Sequence, residues 1–252
     1  MLALAFDHLV HLAQEPHRAA QQLRDIGFHV IEGGRHVEWG TYNALCHFDL
    51  SYIELLGIEN RAIADQAVDN PLVRQAARRL PDREGFARIA MRTNQIDQLA
   101  EVLRGHGLTV LGPVPGSRTR AGGTVLKWQL LFPEREEGLV LPFFIQWEQS
   151  DSERRQDLEQ NGVIQRHPLG NLHLERVAFA VRDLEKNCLE WSTWFGLHAG
   201  EHYIDKALDA ECRELKLAGG NLLFCTPSGS GKLAGLLEEH GEGPFRVDLS
   251  GS

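Results

Sequence analysis

The sequence predicts an α+β fold made of repeated modules, each with the order strand, helix, strand, strand, strand. One observation is a pattern of apolar strand, amphipathic helix and glycine-marked turn that recurs at a spacing of about 80–90 residues. A second is that one such module cannot bury its own sheet face, so two copies must pair and form a cup. The three copies begin with strands 6–10, 86–90 and 174–179, continue with helices 19–26, 96–104 and 184–195, and turn at Gly27, Gly107 and Gly196.

Local signals justify each element of the first module. Pro16 fits the first turn of a helix, where its missing N–H costs little. Gly27 suits the left-handed residue that ends such a helix. Three strand-like runs then follow, at 28–31, 37–48 and 52–56.

The second module is preceded by a linker, 59–84, which is predicted to be mostly helical with a break at Asn70-Pro71. Prolines and glycines between residues 113 and 123 indicate a long loop, and loops of that length are often lids or binding loops. The last two strands of this module are expected at 125–132 and 141–147.

A polar stretch, 149–165, separates the paired modules from the third and predicts a division into two domains, 1–148 and 166–252. The tail 243–249 looks like the opening strand of an incomplete fourth module. An apolar sheet face without a partner is usually buried by association. We therefore expect the third module to dock on the first domain or to form a homodimer, with the dimer favoured.

Charge and composition exclude several classes of function. The net charge of −9 argues against a nucleic-acid partner. The sequence has no apolar run long enough to span a membrane and no basic region typical of a signal peptide at its start. With no C-x-x-C spacing among its cysteines, a cytoplasmic protein is expected. Arg154 and Arg155 are predicted to lie on a solvated helix face.

Several strings of residues make the chain resemble the vicinal oxygen chelate superfamily, and more narrowly its glyoxalase-like group. Glyoxalase I, extradiol dioxygenases and fosfomycin-resistance proteins belong to this superfamily. The resemblance covers nearly the whole chain and implies the paired βαβββ fold. The strings are 6–10 and 52–56, which open and close the first module, together with 34–36, 40–43, 120–128 and 142–147.

The resemblance also implies a metal site at the first and last strands of each module. In the first module these positions hold His8 and Glu54, which suit one divalent ion of zinc, iron, manganese or nickel. In the second module they hold Arg88 and Gln146. The donor set is therefore incomplete. The alternative is a polar pocket without metal, in which Arg88 pairs with Glu54 and lowers its pKa.

The expected function is that of a glyoxalase-like enzyme, a lyase or isomerase, acting on a small oxygenated metabolite. Glu54 or His36 would move a proton, and the metal, or failing it Arg88, would stabilise an oxyanion. The alternative is a non-catalytic protein that binds or sequesters a small molecule. An extradiol-type dioxygenase is disfavoured because Arg88 replaces a histidine. The expected substrate-binding residues are Asn43, Arg120, Trp128 and Gln146.

Overall fold

The computed structural model describes residues 2–119 and 125–251. The predicted α+β fold with repeated βαβββ modules is confirmed. The described residues contain no helix that is both long and apolar enough to cross a membrane. The first module and the helices after it are β1 (Ala5–Leu12), α1 (Pro16–Asp25), β2 (Ile31–His36), β3 (Thr41–Phe48), β4 (Ser51–Ile58), α2 (Arg61–Ala64) and α3 (Pro71–Arg79). The second module and its following helix are β5 (Gly85–Arg92), α4 (Ile96–Gly105), β6 (Thr109–Thr119), β7 (Val125–Glu134), β8 (Phe143–Trp147) and α5 (Asp151–Gln160). The remaining elements are β9 (Leu172–Ala180), α6 (Leu184–Phe195), β10 (His198–Asp205), β11 (Ala210–Lys216), β12 (Asn221–Pro227), α7 (Lys232–His240) and β13 (Gly243–Gly251).

The first two modules join through their opening strands. β1 runs antiparallel to β5, and within each module the first strand lies parallel to the last. The result is one eight-stranded sheet in the order β2-β3-β4-β1-β5-β8-β7-β6. Because side chains alternate between the two faces of a strand, one face packs on α1 and α4 while the other forms the cup, with α3 packed at its side.

The long loop expected at 113–123 is instead a strand as far as Thr119. β6 pairs with β7 along this stretch, with a register shift between Leu111 and Val114. β6 is the edge strand of the sheet. Prolines are tolerated in edge strands and at bulges because their missing N–H is not needed for pairing there. The remainder of the predicted loop, 120–123, lies outside the described residues.

The third module builds a second sheet that packs on the first. This sheet has the order β10-β11-β12-β9-β13, and β13 pairs antiparallel with β9 as β5 does with β1. The two sheets and α6 share one hydrophobic core. In that core the ring of Phe195 lies 5.4 Å from the ring of Phe144, and Arg135 donates to Glu190 across the junction at 2.5 Å.

The other face of the second sheet is covered by α7, a helix that the sequence analysis did not predict. Leu233 and Leu237 of this helix pack against Leu223 and Cys225 of β12. The homodimer was expected because this face had no partner within the chain. With α7 on one face and the first sheet on the other, that reason no longer applies, although the homodimer itself stays a prediction.

The shared core predicts that both sheets unfold together. We expect F195A to lower the free energy of unfolding by about 3–5 kcal/mol, the usual cost of deleting a buried aromatic ring. Urea denaturation followed by circular dichroism measures this, and the variant should still unfold in a single transition. L189A is the matched control, since Leu189 lies on the same helix but is 69% exposed. Two separate transitions in the wild type would contradict the shared core.

Candidate functional site

The candidate site is a cavity of about 500 Å³ in the cup of the first two modules. Side chains from β2, β3, β4, β7 and β8 line it, and residues of α3 and α5 contribute to its wall. Most of the wall is apolar, while polar groups converge at the floor on His8, Asn43 and Glu54. A cavity of this size with an apolar wall and a few convergent polar groups is typical of a small-molecule site.

A chain of hydrogen bonds runs across the cavity floor. His8 Nδ1 donates to Asp7 Oδ1 at 2.7 Å. The carboxylate can only accept, so Nδ1 carries the proton and the ring is fixed with Nε2 turned toward Glu54 Oε2, 3.5 Å away. Asn43 donates to the other oxygen of Glu54 at 2.5 Å and accepts from Arg118 at 3.3 Å. The predicted proximity of His8 and Glu54 is therefore present in the structure.

A register shift in β1 places Asp7 beside His8 on the cup side. Strict alternation predicts that Phe6, His8 and Val10 share one face. However, the pairing of β1 with β5 slips between Phe6 and His8. Phe6 consequently packs in the core shared with the second sheet, whereas Val10 packs in the cup. Bulges of this kind re-aim side chains and are common next to active sites.

Three rings form a stack beside the floor. Tyr52 lies between His8 and His47, with ring centroids 4.5 Å and 4.6 Å apart. Burial, helped by the positive charge of Arg154, lowers the pKa of His47 to about 3. Burial, together with the charges of Asp7 and Glu54, raises the pKa of Tyr52 well above its usual value. Both rings are therefore neutral near pH 7.

His36 and Trp128, two of the predicted site residues, lie in the cavity wall. His36 bonds to the hydroxyl of Thr41 at 3.0 Å and packs edge-on to the indole of Trp128. Burial lowers the pKa of His36 to about 4, with Glu54 opposing this shift and Arg118 adding to it. His36 is thus a neutral imidazole at pH 7. In this form it can act as a base but not as a cationic acid.

Arg154 is a cavity residue that the sequence analysis missed. It was assigned to a solvated helix face, but it is only 4% exposed. Its Nη1 donates to Asp7 Oδ2 at 3.3 Å, and its guanidinium lies 4.3 Å from the ring centre of Trp147. Burial raises the pKa of Asp7, but Arg154 and the hydrogen bond from His8 outweigh it, so the pKa of Asp7 lies well below its usual range. Asp7 is therefore a buried carboxylate at neutral pH.

The structure does not bring Arg88 to Glu54, so the expected ion pair is corrected. The guanidinium of Arg88 is buried and donates to the backbone oxygens of Leu141 at 2.6 Å and Pro133 at 3.2 Å. It also lies over the rings of Phe132 and Phe143. A buried guanidinium needs hydrogen-bond acceptors for its N–H groups. The two backbone carbonyls provide them at a place away from the cavity floor.

Two other predicted substrate-binding residues, Gln146 and Arg120, are not among the side chains that line the cavity in the described part of the chain. Gln146 does not line the cavity: its Oε1 accepts from the backbone N–H of Ile96 at 2.9 Å, at the start of α4. Strand alternation explains this, since its neighbour Trp147 points into the cup. Arg120 lies outside the described residues. Arg118, two residues earlier in β6, lines the cavity.

The donor set for a metal is only partly present. His8 Nε2 and Glu54 Oε2 lie 3.5 Å apart, and the bond from His8 Nδ1 to Asp7 is the outer-shell contact that metal-binding histidines usually make. Catalytic metal sites generally have three protein ligands. Within the described ranges, however, no three His, Cys, Asp or Glu side chains are grouped to hold an ion. The part of the chain that the structure describes thus places two of the three usual ligands together.

Comparisons with known proteins place this fold and cup in a family. The family described as having a glyoxalase-like domain matches residues 6–195. The chain therefore belongs to the glyoxalase-like domain family, and the predicted resemblance is confirmed. No curated protein matches the chain.

Many solved structures are similar to this one, and two of them cover most of the chain. A hypothetical protein from Staphylococcus aureus is 27% identical, with 89% of this chain and 86% of that chain covered and a TM-score of 0.74. A mutant of 4-hydroxymandelate synthase from Streptomyces coelicolor is 12% identical, with 99% and 71% covered and a TM-score of 0.63. At that identity the second likeness shows the fold alone.

The buried neutral histidines predict how stability depends on pH. An unfolded histidine titrates near pH 6.5, whereas His47 in the folded chain has a pKa of about 3. Between these values only the unfolded state binds the proton, so stability falls as the pH drops from about 6.5 toward 3. The contribution of His47 is about 1.4 kcal/mol per pH unit.

The variant H47Q should therefore show a flatter loss of stability between pH 6.5 and pH 4 than the wild type. Urea denaturation at a series of pH values measures the slope. H106Q is the matched control because His106 is exposed at the end of α4. If H47Q and the wild type lose stability in parallel over this range, His47 is not the buried neutral group described above.

Proposed function

We propose that this protein is an enzyme that moves a proton on a small oxygenated molecule bound in the cup, with Glu54 and His8 as the acid–base pair. The observation that carries this proposal is the chain of contacts Asp7–His8–Glu54–Asn43 at the floor of an otherwise apolar cavity. A base fixed by one partner and facing a second titratable group is the arrangement used in general acid–base catalysis.

Each group has a distinct task in this proposal. Glu54 takes a proton from a carbon next to a carbonyl, while the amide of Asn43 holds one of its oxygens. His8 Nε2, 3.5 Å from Glu54 Oε2, takes over this proton, because the Nδ1 proton stays bonded to Asp7. The resulting imidazolium, stabilised by the Asp7 carboxylate, then gives the proton to the substrate oxygen. Arg118, which lines the cavity beside Asn43, supports negative charge that develops on the substrate. This replaces the oxyanion role expected of Arg88.

The wall of the cup supports a ligand with an apolar part. The indoles of Trp39, Trp128 and Trp147 line the cavity together with aliphatic side chains from β7 and α3. An aromatic or acyl group packed against them would leave water and gain about 25 cal/mol for each Å² buried. The oxygenated end of the ligand would then lie at Glu54, where the hydrogen-bonding groups converge.

A divalent metal, if one binds, would be held by His8 and Glu54 and would polarise a substrate oxygen as a Lewis acid. Because catalytic metal sites usually have three protein ligands, the proton transfer is assigned to Glu54 and His8 themselves and not to a metal. Elemental analysis of untagged protein after metal-replete growth tests this point. We expect less than one equivalent of zinc, iron, manganese or nickel, and a full equivalent would favour the metal.

Non-catalytic binding of a small molecule is the second candidate. The observation that favours it is that Glu54 is already hydrogen bonded by Asn43 and faced by His8. A polar floor satisfied in this way needs no substrate to complete it. Such a cup would bind a ligand without changing it.

Proton exchange separates the two candidates. Ligands are first found by thermal shift with a panel of carbonyl compounds that carry an apolar group. The exchange of their C–H for deuterium in D2O is then followed by NMR. We expect the wild type to catalyse this exchange and E54Q to be slower by at least about 100-fold, the usual contribution of general acid–base catalysis. Binding affinity should change little.

E32Q provides the matched control. Glu32 also lines the cavity, but its side chain is 72% exposed, so its charge should not matter to the reaction. E32Q should keep the exchange rate of the wild type. Ligands that bind the wild type tightly but never exchange would support the binding protein, and E54Q with full activity would remove Glu54 from the mechanism.

A further inference from the structure

The segment between the second and third modules contributes a buried charge to the cup. α5 is a polar helix with the capping-box residues Ser150 and Glu153 at its start. Arg155 of this helix is partly exposed and pairs with Asp49 at the surface at 2.7 Å. Its neighbour Arg154 points inward, is 4% exposed and donates to Asp7. The two adjacent arginines thus have different surroundings.

We propose that Arg154 is a positioning residue for the acid–base pair, holding the Asp7 carboxylate against the His8 ring so that Nε2 of His8 faces Glu54. This inference rests on the proposed function for its catalytic consequence. The geometric part, that Arg154 fixes the His8 ring through Asp7, does not depend on whether the protein is an enzyme.

The contacts of Asp7 support this role. Asp7 is 0% exposed and has one oxygen on His8 Nδ1. Its other oxygen accepts from Trp147 Nε1 at 3.0 Å and from Arg154 Nη1 at 3.3 Å. Removing the partner of a buried charge strongly destabilises the arrangement that holds the charge, because the charge is left uncompensated. Without Arg154, the neutral indole of Trp147 would remain as the donor to Oδ2 among the described residues, and the carboxylate would be free to turn away from His8.

The place of Arg154 is itself fixed by aromatic rings. Its guanidinium lies 4.3 Å from the ring centre of Trp147 and 5.9 Å from that of Tyr52. Tyr52 also stacks on His8. A planar guanidinium combines stacking with directed hydrogen bonds, which a lysine ammonium cannot reproduce fully. Arg154, Asp7 and His8 therefore form one packed unit around Tyr52 and Trp147.

The docking of α5 has other supports, which makes Arg154 testable separately. Asp151 at the start of the helix pairs with Arg92 at 2.9 Å. Leu158 and Val163 pack with Leu50 in a small apolar cluster. Arg155 adds its pair with Asp49. Replacing Arg154 should therefore leave α5 in place.

The experiment compares R154M, R154K and R155M in the full chain. NMR with ¹⁵N-labelled histidine, assigned with H8Q, follows the hydrogen-bonded Nδ1 proton of His8. We expect a resolved signal in the wild type, R154K and R155M, and its loss or broadening in R154M. Hydrogen exchange of the α5 amides should be the same in R154M as in the wild type. The rate at which the ligand exchanges its C–H for deuterium is then measured in D2O. In R154M this rate should fall at least tenfold while the affinity for the ligand stays unchanged. R154K should recover part of the rate, and R155M should match the wild type.

Each outcome decides the proposal. An unchanged His8 signal in R154M overturns it, even if activity falls. Equal losses in R154M and R155M, with faster amide exchange in α5, overturn it in favour of simple anchoring of the helix. If R154M does not fold, R154Q replaces it, and an unchanged His8 Nδ1 signal there also overturns the proposal. If the wild type exchanges no ligand while R154M still loses the His8 signal, the proposed enzyme fails but the positioning role stands.

Discussion

The buried carboxylate of Asp7 is the constraint on which the site depends. It accepts hydrogen bonds from His8 in β1, from Trp147 in β8 and from Arg154 in α5, so the first module, the second module and the following segment meet at one charge. Burying such a charge is costly unless it is paired and fully hydrogen bonded. The three elements must therefore be in place together, which ties the geometry of the cup to the fold of the chain as far as α5.

The same constraint orders the rest of the cavity floor. Because Asp7 occupies one nitrogen of His8, the other nitrogen is turned to Glu54. Because Tyr52 stacks on both His8 and His47, the rings beside the floor are packed and buried, and burial keeps His47 neutral. His8 and Glu54 are 3% and 6% exposed, and the electrostatic interactions of buried groups are stronger than those of groups in bulk water. This is the physical basis of the proposed acid–base chemistry.

Much of the fold could be predicted from sequence because it rests on local patterns. The spacing of the repeats and the apolar alternation gave the modules, and α6 was placed at its observed bounds, 184–195. β6 was mistaken for a loop because it contains prolines and glycines. A strand tolerates them at the edge of a sheet, and the position of β6 at the edge depends on tertiary structure, which the local sequence does not reveal. α7 was not predicted because its nine residues carry too short an apolar pattern to stand out beside the preceding run of serine and glycine.

The site was only partly predictable. His8 and Glu54 were implied by the resemblance to the vicinal oxygen chelate superfamily, and both line the cavity, as do Asn43, His36 and Trp128. Asp7 and Arg154 were missed because one depends on a register shift and the other on a contact between residues 147 positions apart.

The central claim is that the cup of the first two modules binds the ligand at Glu54. A crystal structure with a ligand found by screening tests it most directly. We predict the ligand between Glu54 and Trp128, within hydrogen-bond distance of Glu54 or Asn43. A ligand bound instead in the cleft of about 300 Å³ lined by Asp49, Arg92 and His173, with the cup empty, would contradict it.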